Sequence, residues 1–241
     1  MMKALHTGSI FGLSILAGMI AGGILVGLNV VLVQPYTTVL ADIEIENLLV
    51  DGEFDEDEFD LQLQSIYFSQ LYCSIAVGLA GGVLVGAGAC VISGMKSSMV
   101  KAALMIAGIE WFVLYVVPMV KYPPSPEALF TSGAAGGTYQ SLLAGYAAVS
   151  GLAALGIAIG FKKIKRRERT FGASALYLAI VAAAFFVFPN YESEKDSLLP
   201  QPLLNAWRSA IAVSMTVFWF SLGIIAGILW LYGRKSIGRA I

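Results

Sequence analysis

The stretch AGIEWFVLYVVPMVKYPPSPE, residues 107–127, decides how the rest of the chain is interpreted. It begins as an apolar run suited to lipid, yet it contains a glutamate, Glu110. It ends in four prolines: Pro118, Pro123, Pro124 and Pro126. Proline removes a backbone donor and clashes with the preceding helical turn. We therefore expect a helix that stops at the prolines and a rigid turn beyond it.

The composition around this stretch is that of an integral membrane protein. Of the 241 residues, 58% are hydrophobic and only 13% are charged, and the mean hydropathy is +0.78. Soluble domains carry about a quarter charged residues. Apolar runs of about 20 residues are long enough to cross a bilayer as helices.

Six apolar runs divide the chain, and we predict an all-α fold from them. The fold is a single transmembrane domain over 1–241, a six-helix bundle made of three helical hairpins. The first run is too long for a cleavable signal peptide, so we expect it to stay as a helix. The predicted helices cover residues 9–33, 67–92, 101–120, 139–161, 174–188 and 204–231.

Charge predicts the orientation of these helices. An acidic outer loop, 42–60, holds ten of the 16 carboxylates, and a basic loop, 162–169, reads KKIKRRER. Most other lysines and arginines share the side of the basic loop if six helices thread the membrane. The positive-inside rule then places the basic loop and both termini in the cytoplasm, and the acidic loops outside. We predict a multi-pass protein of the cell membrane whose partner is the lipid bilayer and not nucleic acid.

Metal clusters and catalytic motifs are missing from the sequence. Cys73 and Cys90 fall near opposite ends of one predicted helix, too far apart to form a disulfide with each other. His6 is the single histidine, so no His/Cys cluster holds a soft or borderline metal. The sequence contains no Walker A loop, GxSxG or HExxH motif. We predict that the protein is not an enzyme and has no certain cofactor.

Glu110 is the strongest candidate for function, because an ionised acid within a membrane helix is costly and should face the bundle interior or water. It is either a metal or proton site, or a structural acid that holds helices together. Further polar residues at a similar outer depth either line an entrance or cap helix ends. These candidate entrance residues are Asn29, Gln34, Gln70, Gln140 and Arg208, with Asn205 beside them. Arg208 either pairs with Glu110 or extends to the outer headgroups.

Two further patterns recur along the predicted helices. Each outgoing helix ends in a proline followed by a tyrosine, as in VLVQPY (31–36) and FVFPNY (186–191). Glycines repeat at one-turn spacing, which lets helix backbones approach closely in lipid. We expect tight packing at Gly18/Gly22, Gly23/Gly27, Gly78/Gly82/Gly86, Gly156/Gly160 and Gly223/Gly227.

These proline-terminated helices, the PP-containing outer turn and the last hairpin together resemble the CbtA family of predicted cobalt-transporter subunits. The residues that carry the resemblance are VLVQPY (31–36), FVLYVVPMVKYPPSPEALF (112–130) and the hairpin at 185–230, with its F-W-rich GxxxG helix. The resemblance implies a polytopic membrane protein of cobalt uptake, working with a small partner subunit. A divalent metal ion such as cobalt is then the substrate.

The sequence therefore supports two alternative functions. The first is a membrane component of divalent cation transport, with Glu110 as the metal site. The alternative is a non-catalytic accessory or structural subunit of a larger membrane complex, in which the glycine faces and the acidic loop are docking surfaces.

Overall fold

The computed structural model describes residues 7–51, 56–91, 98–126, 134–161, 166–191 and 199–239. These residues form α-helices interrupted by two short π-helical segments, and the described ranges contain no β-strand. This confirms the prediction of an all-α fold. In chain order the elements are α1 (Thr7–Leu28), π1 (Asn29–Val33), α2 (Gln34–Asp51), α3 (Glu56–Val91), α4 (Met99–Trp111), π2 (Phe112–Val116), α5 (Val117–Lys121), α6 (Ala134–Gly160), α7 (Arg166–Val187) and α8 (Gln201–Arg239).

Five of the described helical segments are long and apolar enough to cross a membrane, which confirms a multi-pass membrane protein. The sixth apolar helix, Phe171–Val187, is shorter than the others. At about 1.5 Å per residue it spans roughly 26 Å, against a hydrocarbon core of about 30 Å. The count of six crossings therefore stays a prediction. The five longer spans are Gly8–Glu46, Phe59–Cys90, Met99–Lys121, Gly137–Gly160 and Gln201–Arg234.

Contacts within the chain group it into two units, which we describe separately. Unit 1 consists of Met1–Gly108 and Leu199–Ile241, and unit 2 consists of Ile109–Leu198. The prediction of one transmembrane domain over 1–241 is not tested by this grouping.

Unit 1 is built on a close contact between the backbones of α1 and α3. A Cβ atom on Gly18 would collide with the backbone of Gly78, and one on Gly78 would lie 2.7 Å from the Cα of Gly22. Gly82 sits equally close to the backbone of Ser14. The small-xxx-small pattern is confirmed here. At Gly23 and Gly27, in contrast, no described atom lies within 4 Å of such a Cβ.

Two tryptophans fasten α8 to the rest of unit 1. Trp207 donates from Nε1 to Thr37 Oγ1 at 3.2 Å, and Trp230 donates to Ser14 Oγ at 3.1 Å. Both hydroxyls are fully buried, and each donates to its own helix, Thr37 to the Val33 carbonyl and Ser14 to the Ile10 carbonyl. Buried polar groups are costly unless paired. These bonds therefore fix the position of α8 along α1 and α2.

Tyrosines lie at the centre of the core of unit 2, with aliphatic residues such as Val117 packed around them. Tyr122, Tyr139 and Tyr146 are buried together with Ala184, and the rings of Tyr122 and Tyr146 meet edge to face with their centroids 5.9 Å apart. Each hydroxyl donates to a backbone carbonyl: Tyr122 to Pro189, Tyr139 to Pro123 and Tyr146 to Val181. Tyr122, which follows Pro118, is thus a structural anchor of the turn in addition to any interfacial role.

The prediction of an outer loop over 42–60 is wrong, because most of this segment is helical. Helix α2 continues to Asp51 and α3 begins at Glu56, so only 52–55 lie outside the described residues. Glutamate, leucine and isoleucine are compatible with a helix, and no proline interrupts the segment. The basic segment is also partly helical, since α7 begins at Arg166, while 162–165 lie outside the described residues.

The prediction that proline ends each outgoing helix holds in two cases of three. Helix α7 stops at Val187, before Pro189, and α5 passes Pro118 but stops at Lys121, before Pro123 and Pro124, whereas the chain stays helical past Pro35 to Asp51. At both internal prolines a π-helical segment ends two residues earlier. A local change of helical register thus absorbs the proline without ending the helix.

We expect Gly18→Ala to destabilise unit 1 by about 1–3 kcal/mol, the usual cost of overpacking. The added methyl group would displace the backbone of α3. The matched control is Gly23→Ala, five positions along the same helix, where the methyl group meets no described atom. Thermal unfolding in detergent measures both. Equal melting temperatures for the two variants would show that the glycine contact does not stabilise the fold.

Candidate functional site

The two π-helical segments share one hydrogen-bond change. The Gln34 N–H donates to the Asn29 carbonyl, and the Val117 N–H donates to the Phe112 carbonyl, each five residues back. In an α-helix these donors would bind the carbonyls of Val30 and Val113. The next residue is a proline, Pro35 or Pro118, which has no N–H to replace them. Val30 and Val113 therefore lose the N–H donors that an α-helix would give their carbonyls.

In unit 2 the released carbonyl of Val113 is bound by a side chain. Ser150 on α6 donates to it at 2.6 Å, and the hydroxyls of Ser150 and Tyr177 are 2.7 Å apart. Since the Ser150 proton is used on the carbonyl, Tyr177 is the donor of the second bond. Val113 and Ser150 are both buried. This bond satisfies the carbonyl that proline left open and joins π2 to α6 and α7.

Glu110 lies on α4, two residues before π2, with one carboxylate oxygen enclosed. Oε2 is buried and has no hydrogen-bond partner among the described residues. The hydroxyl of Tyr115, within π2, is likewise buried and has no such partner. A buried polar atom without a partner costs free energy. Such atoms in a native structure call for an explanation such as an ion, a proton or a water molecule. π-helical segments are themselves frequent at functional sites.

In unit 1 a groove of about 480 Å³ runs along π1 and α3, and we call it the π1 groove. Three of the predicted entrance residues, Asn29, Gln34 and Gln70, come together in its wall. The sequence interpretation missed two other polar members, Gln64 and Tyr67. The full lining is Val26, Asn29, Val30, Gln34, Gln64, Tyr67, Phe68, Gln70 and Leu71.

Two short hydrogen-bond chains orient the polar side chains of the π1 groove. Ser74 donates to the Gln70 carbonyl at 2.6 Å, so it accepts from the Asn29 amide nitrogen at 3.1 Å. Thr38 donates to the Gln34 carbonyl at 3.1 Å, so it accepts from the Tyr67 hydroxyl at 3.3 Å. The amide oxygen of Asn29 and the phenolic oxygen of Tyr67 keep their lone pairs for other partners.

The other predicted site residues lie apart from the π1 groove. Gln140 is exposed on α6 in unit 2, and Arg208 is half-buried on α8 in unit 1. Neither lines the groove, and the pairing of Arg208 with Glu110 stays a prediction. Within the described ranges no three His, Cys, Asp or Glu side chains are grouped as metal ligands, and His6 lies outside those ranges.

A signal in the sequence could have found the missed residues. Asp60, Gln64, Tyr67 and Ser74 recur at three- to seven-residue spacing, which places them on one face of α3. No comparable sequence pattern indicated Ser150 and Tyr177. Their role depends on the Val113 carbonyl, which loses its α-helical donor only because of the π-helical hydrogen bonding.

The comparison with known families matches the whole membrane region. A family model described as "Probable cobalt transporter subunit (CbtA)" covers residues 8–231. The chain belongs to the CbtA family. The match extends from the start of the first membrane span into the last one, and it confirms the resemblance drawn from the sequence. The CbtA description is that of a transporter subunit rather than an enzyme. No curated protein and no solved structure matches this CbtA chain.

We expect Ser150→Ala to lower the free energy of unfolding by about 1–3 kcal/mol, because it leaves the buried Val113 carbonyl unsatisfied. In a Pro118→Ala background the Val117 N–H can return to that carbonyl, so the loss should fall towards zero. A double-mutant cycle measured by unfolding in mixed detergent tests this.

The matched control is Ser141→Ala on the same helix, whose hydroxyl bonds only its own helix, to the Gly137 carbonyl. It should cost little in either background. An equal cost of Ser150→Ala with and without Pro118 would contradict the assignment of the Ser150 bond to the released carbonyl.

Proposed function

We propose that this chain is the membrane component of a divalent cation transporter, with Glu110 as the intramembrane metal ligand or proton acceptor. The observation that carries the proposal is the enclosed Oε2 atom of Glu110, which has no hydrogen-bond partner among the described residues. Acids within membrane helices mark ion pathways and proton relays. The family description supports a transport role and names cobalt.

The proposed route begins outside the hydrocarbon region. Acidic residues of 42–60 concentrate cations by their local potential. Asn29, Gln34 and Gln70 form the entrance, and Gln140 and Arg208 are predicted to contribute to it. Glu110 then receives the ion or the proton exchanged for it. Support for the entrance comes from the shared lining of the π1 groove by the first three residues.

In this proposal the metal is the substrate and not a resident cofactor. The candidate ligands are carboxylate, amide and carbonyl oxygens, which are hard donors that hold a partly hydrated cation weakly. Oxygen sites discriminate poorly between divalent metals. The preference for cobalt therefore rests on the family description, and release of the ion benefits from weak binding.

A second function is favoured by the word "subunit" in that description. On this view the chain is an accessory or structural part of a larger membrane complex, and a small membrane partner subunit carries the ion. The lack of a three-ligand metal group among the described residues fits this role. Stoichiometric co-purification of a partner in mild detergent, combined with no uptake by the isolated chain, would favour it over transport.

The proposed topology has six crossings, both termini in the cytoplasm and the acidic segment outside. In a variant with Cys73→Ser and Cys90→Ser, a cysteine at Glu53→Cys should react with an impermeant maleimide on intact cells. A cysteine at Lys235→Cys should react only after permeabilisation. Labelling of both positions from outside would mean an even number of crossings between residues 53 and 235, which contradicts the five that the proposed topology places there.

We expect Glu110→Gln to lower cobalt uptake into proteoliposomes by more than about tenfold, a change of at least about 1.4 kcal/mol in the barrier. The amide matches the carboxylate in size but can neither carry charge nor exchange a proton. Uptake of cobalt, nickel, zinc and manganese in wild type and variant measures the effect and ranks the ions.

The matched control is Glu168→Gln, the same change in the basic segment, which should transport normally. Glu110→Asp keeps the charge and should retain partial uptake. Normal uptake by a well-folded Glu110→Gln protein would refute the role of Glu110, and no uptake by wild type would refute transport by the isolated chain.

A further inference from the structure

The wall of the π1 groove changes in polarity along its length. Helix α3 runs antiparallel to α1, π1 and α2, so Val26 and Leu71 lie at one end of the groove, and Gln34 and Gln64 lie at the other. The two ends are about 12 Å apart along the helix. The first end is aliphatic, whereas each glutamine amide offers two N–H donors and one oxygen acceptor. The groove therefore fits a molecule with an apolar end and a hydrogen-bonding end.

Hydrogen bonds within the protein hold the middle of the groove in shape. The Asn29 amide nitrogen is bonded to Ser74, and the Tyr67 hydroxyl is bonded to Thr38. A wall that is already ordered loses little further conformational entropy when a ligand binds. Phe68 completes the wall at this depth and is 58% exposed, so it offers apolar surface to the ligand.

The groove lies where the hydrocarbon core of a bilayer ends. Asn29 is about 32 Å along the helix from Gly8, where the first apolar span begins, and a hydrocarbon core is about 30 Å thick. Tyrosines favour the membrane interface, and Tyr36 and Tyr72, beside the groove in sequence, are both exposed. The aliphatic end of the groove therefore lies at the depth of acyl chains, and the amide end lies at the depth of headgroups.

Carboxylates continue the same helix faces beyond the amide end. Asp60 lies one turn from Gln64 on α3, and Asp42 lies two turns from Gln34 on α2, so each shares a helix face with a groove amide. Both aspartates are exposed, and among the described residues no charged side chain lines the groove itself. Their negative potential disfavours an anionic headgroup and favours one that carries an ammonium group.

We propose that the π1 groove binds one phospholipid with a zwitterionic, ammonium-bearing headgroup, of the phosphatidylethanolamine class. Its ester oxygens accept hydrogen bonds from the amides of Gln34 and Gln64, and its ammonium group faces Asp60. The groove volume of about 480 Å³ lies within the range of about 300–1,000 Å³ that small-ligand sites occupy. One acyl chain lies along the apolar wall, formed by Val26, Val30, Phe68 and Leu71.

This inference goes beyond the proposed transport and does not rest on it, because its test reads lipid binding in the absence of a metal ion. The full chain is purified in mild detergent and titrated with phosphatidylethanolamine or phosphatidylglycerol of identical acyl chains. Native mass spectrometry counts the bound lipids. We expect one saturable site, with an apparent Kd for phosphatidylethanolamine that is lower than for phosphatidylglycerol by about fivefold or more.

Val30→Trp tests the location of the site, because the larger side chain fills the groove. It should raise the apparent Kd for phosphatidylethanolamine by about fivefold or more. The matched control is Val31→Trp, the same change at the next residue, which is 68% exposed and does not line the groove. It should leave the Kd unchanged, and circular dichroism and gel filtration establish that both variants fold.

Asp60→Asn tests the headgroup, since it removes a carboxylate and keeps the size of the side chain. The preference over phosphatidylglycerol should shrink in this variant and persist in Glu168→Gln, which removes a carboxylate in the basic segment. Binding without saturation, equal or tighter binding of phosphatidylglycerol by wild type, or equal Kd values for Val30→Trp and Val31→Trp would overturn the proposal. An absence of bound lipid would also overturn it, and would leave the groove to a helix of another protein.

Discussion

The structure depends on one constraint: in lipid, each backbone N–H and C=O must find a partner within the protein or in a water-filled cavity. Pro35 and Pro118 break that rule inside two otherwise continuous helices. The chain responds by shifting the preceding N–H back by one residue, which gives a π segment and leaves the carbonyls of Val30 and Val113 without their α-helical donors. The candidate functional residues lie around these two π segments, so the same change of backbone hydrogen bonding positions both groups of residues.

The carbonyls of Val30 and Val113 have different surroundings. At Val113 a buried serine and a tyrosine complete the hydrogen bonding, which makes π2 a fixed part of unit 2. At the other π segment, Val30 lines the π1 groove. Because the Val113 carbonyl is hydrogen-bonded, the helix beside Glu110 is held in a stable conformation.

Much of the fold could be predicted from the sequence because membrane helices are specified by long apolar runs and by charge. The glycine contacts of Gly18, Gly22, Gly78 and Gly82 also followed from one-turn spacing.

The acidic segment was misinterpreted because charge density suggested a loop, whereas the absence of proline lets the helices continue. Whether a proline ends its helix could not be derived from the sequence, because the chain stays helical past Pro35 and Pro118, whereas a helix ends before Pro189. Of the candidate site, Asn29, Gln34 and Gln70 were foreseen to share a surface. Gln64 and Tyr67 were missed although their spacing places them on one face of α3, whereas the Ser150 bond depended on the π register and on the packing of separate helices.

The continuity of α1, π1 and α2 has a mechanical consequence. From Thr7 to Asp51 the chain is one rod with a single irregular joint. Helix α2 extends about 27 Å beyond that joint, so a bend of about ten degrees at π1 displaces its acidic end by about 5 Å. The joint acts as the fulcrum of a lever. A change in the bend at π1 would therefore move the carboxylates of α2, such as Asp42 and Glu46, as one body.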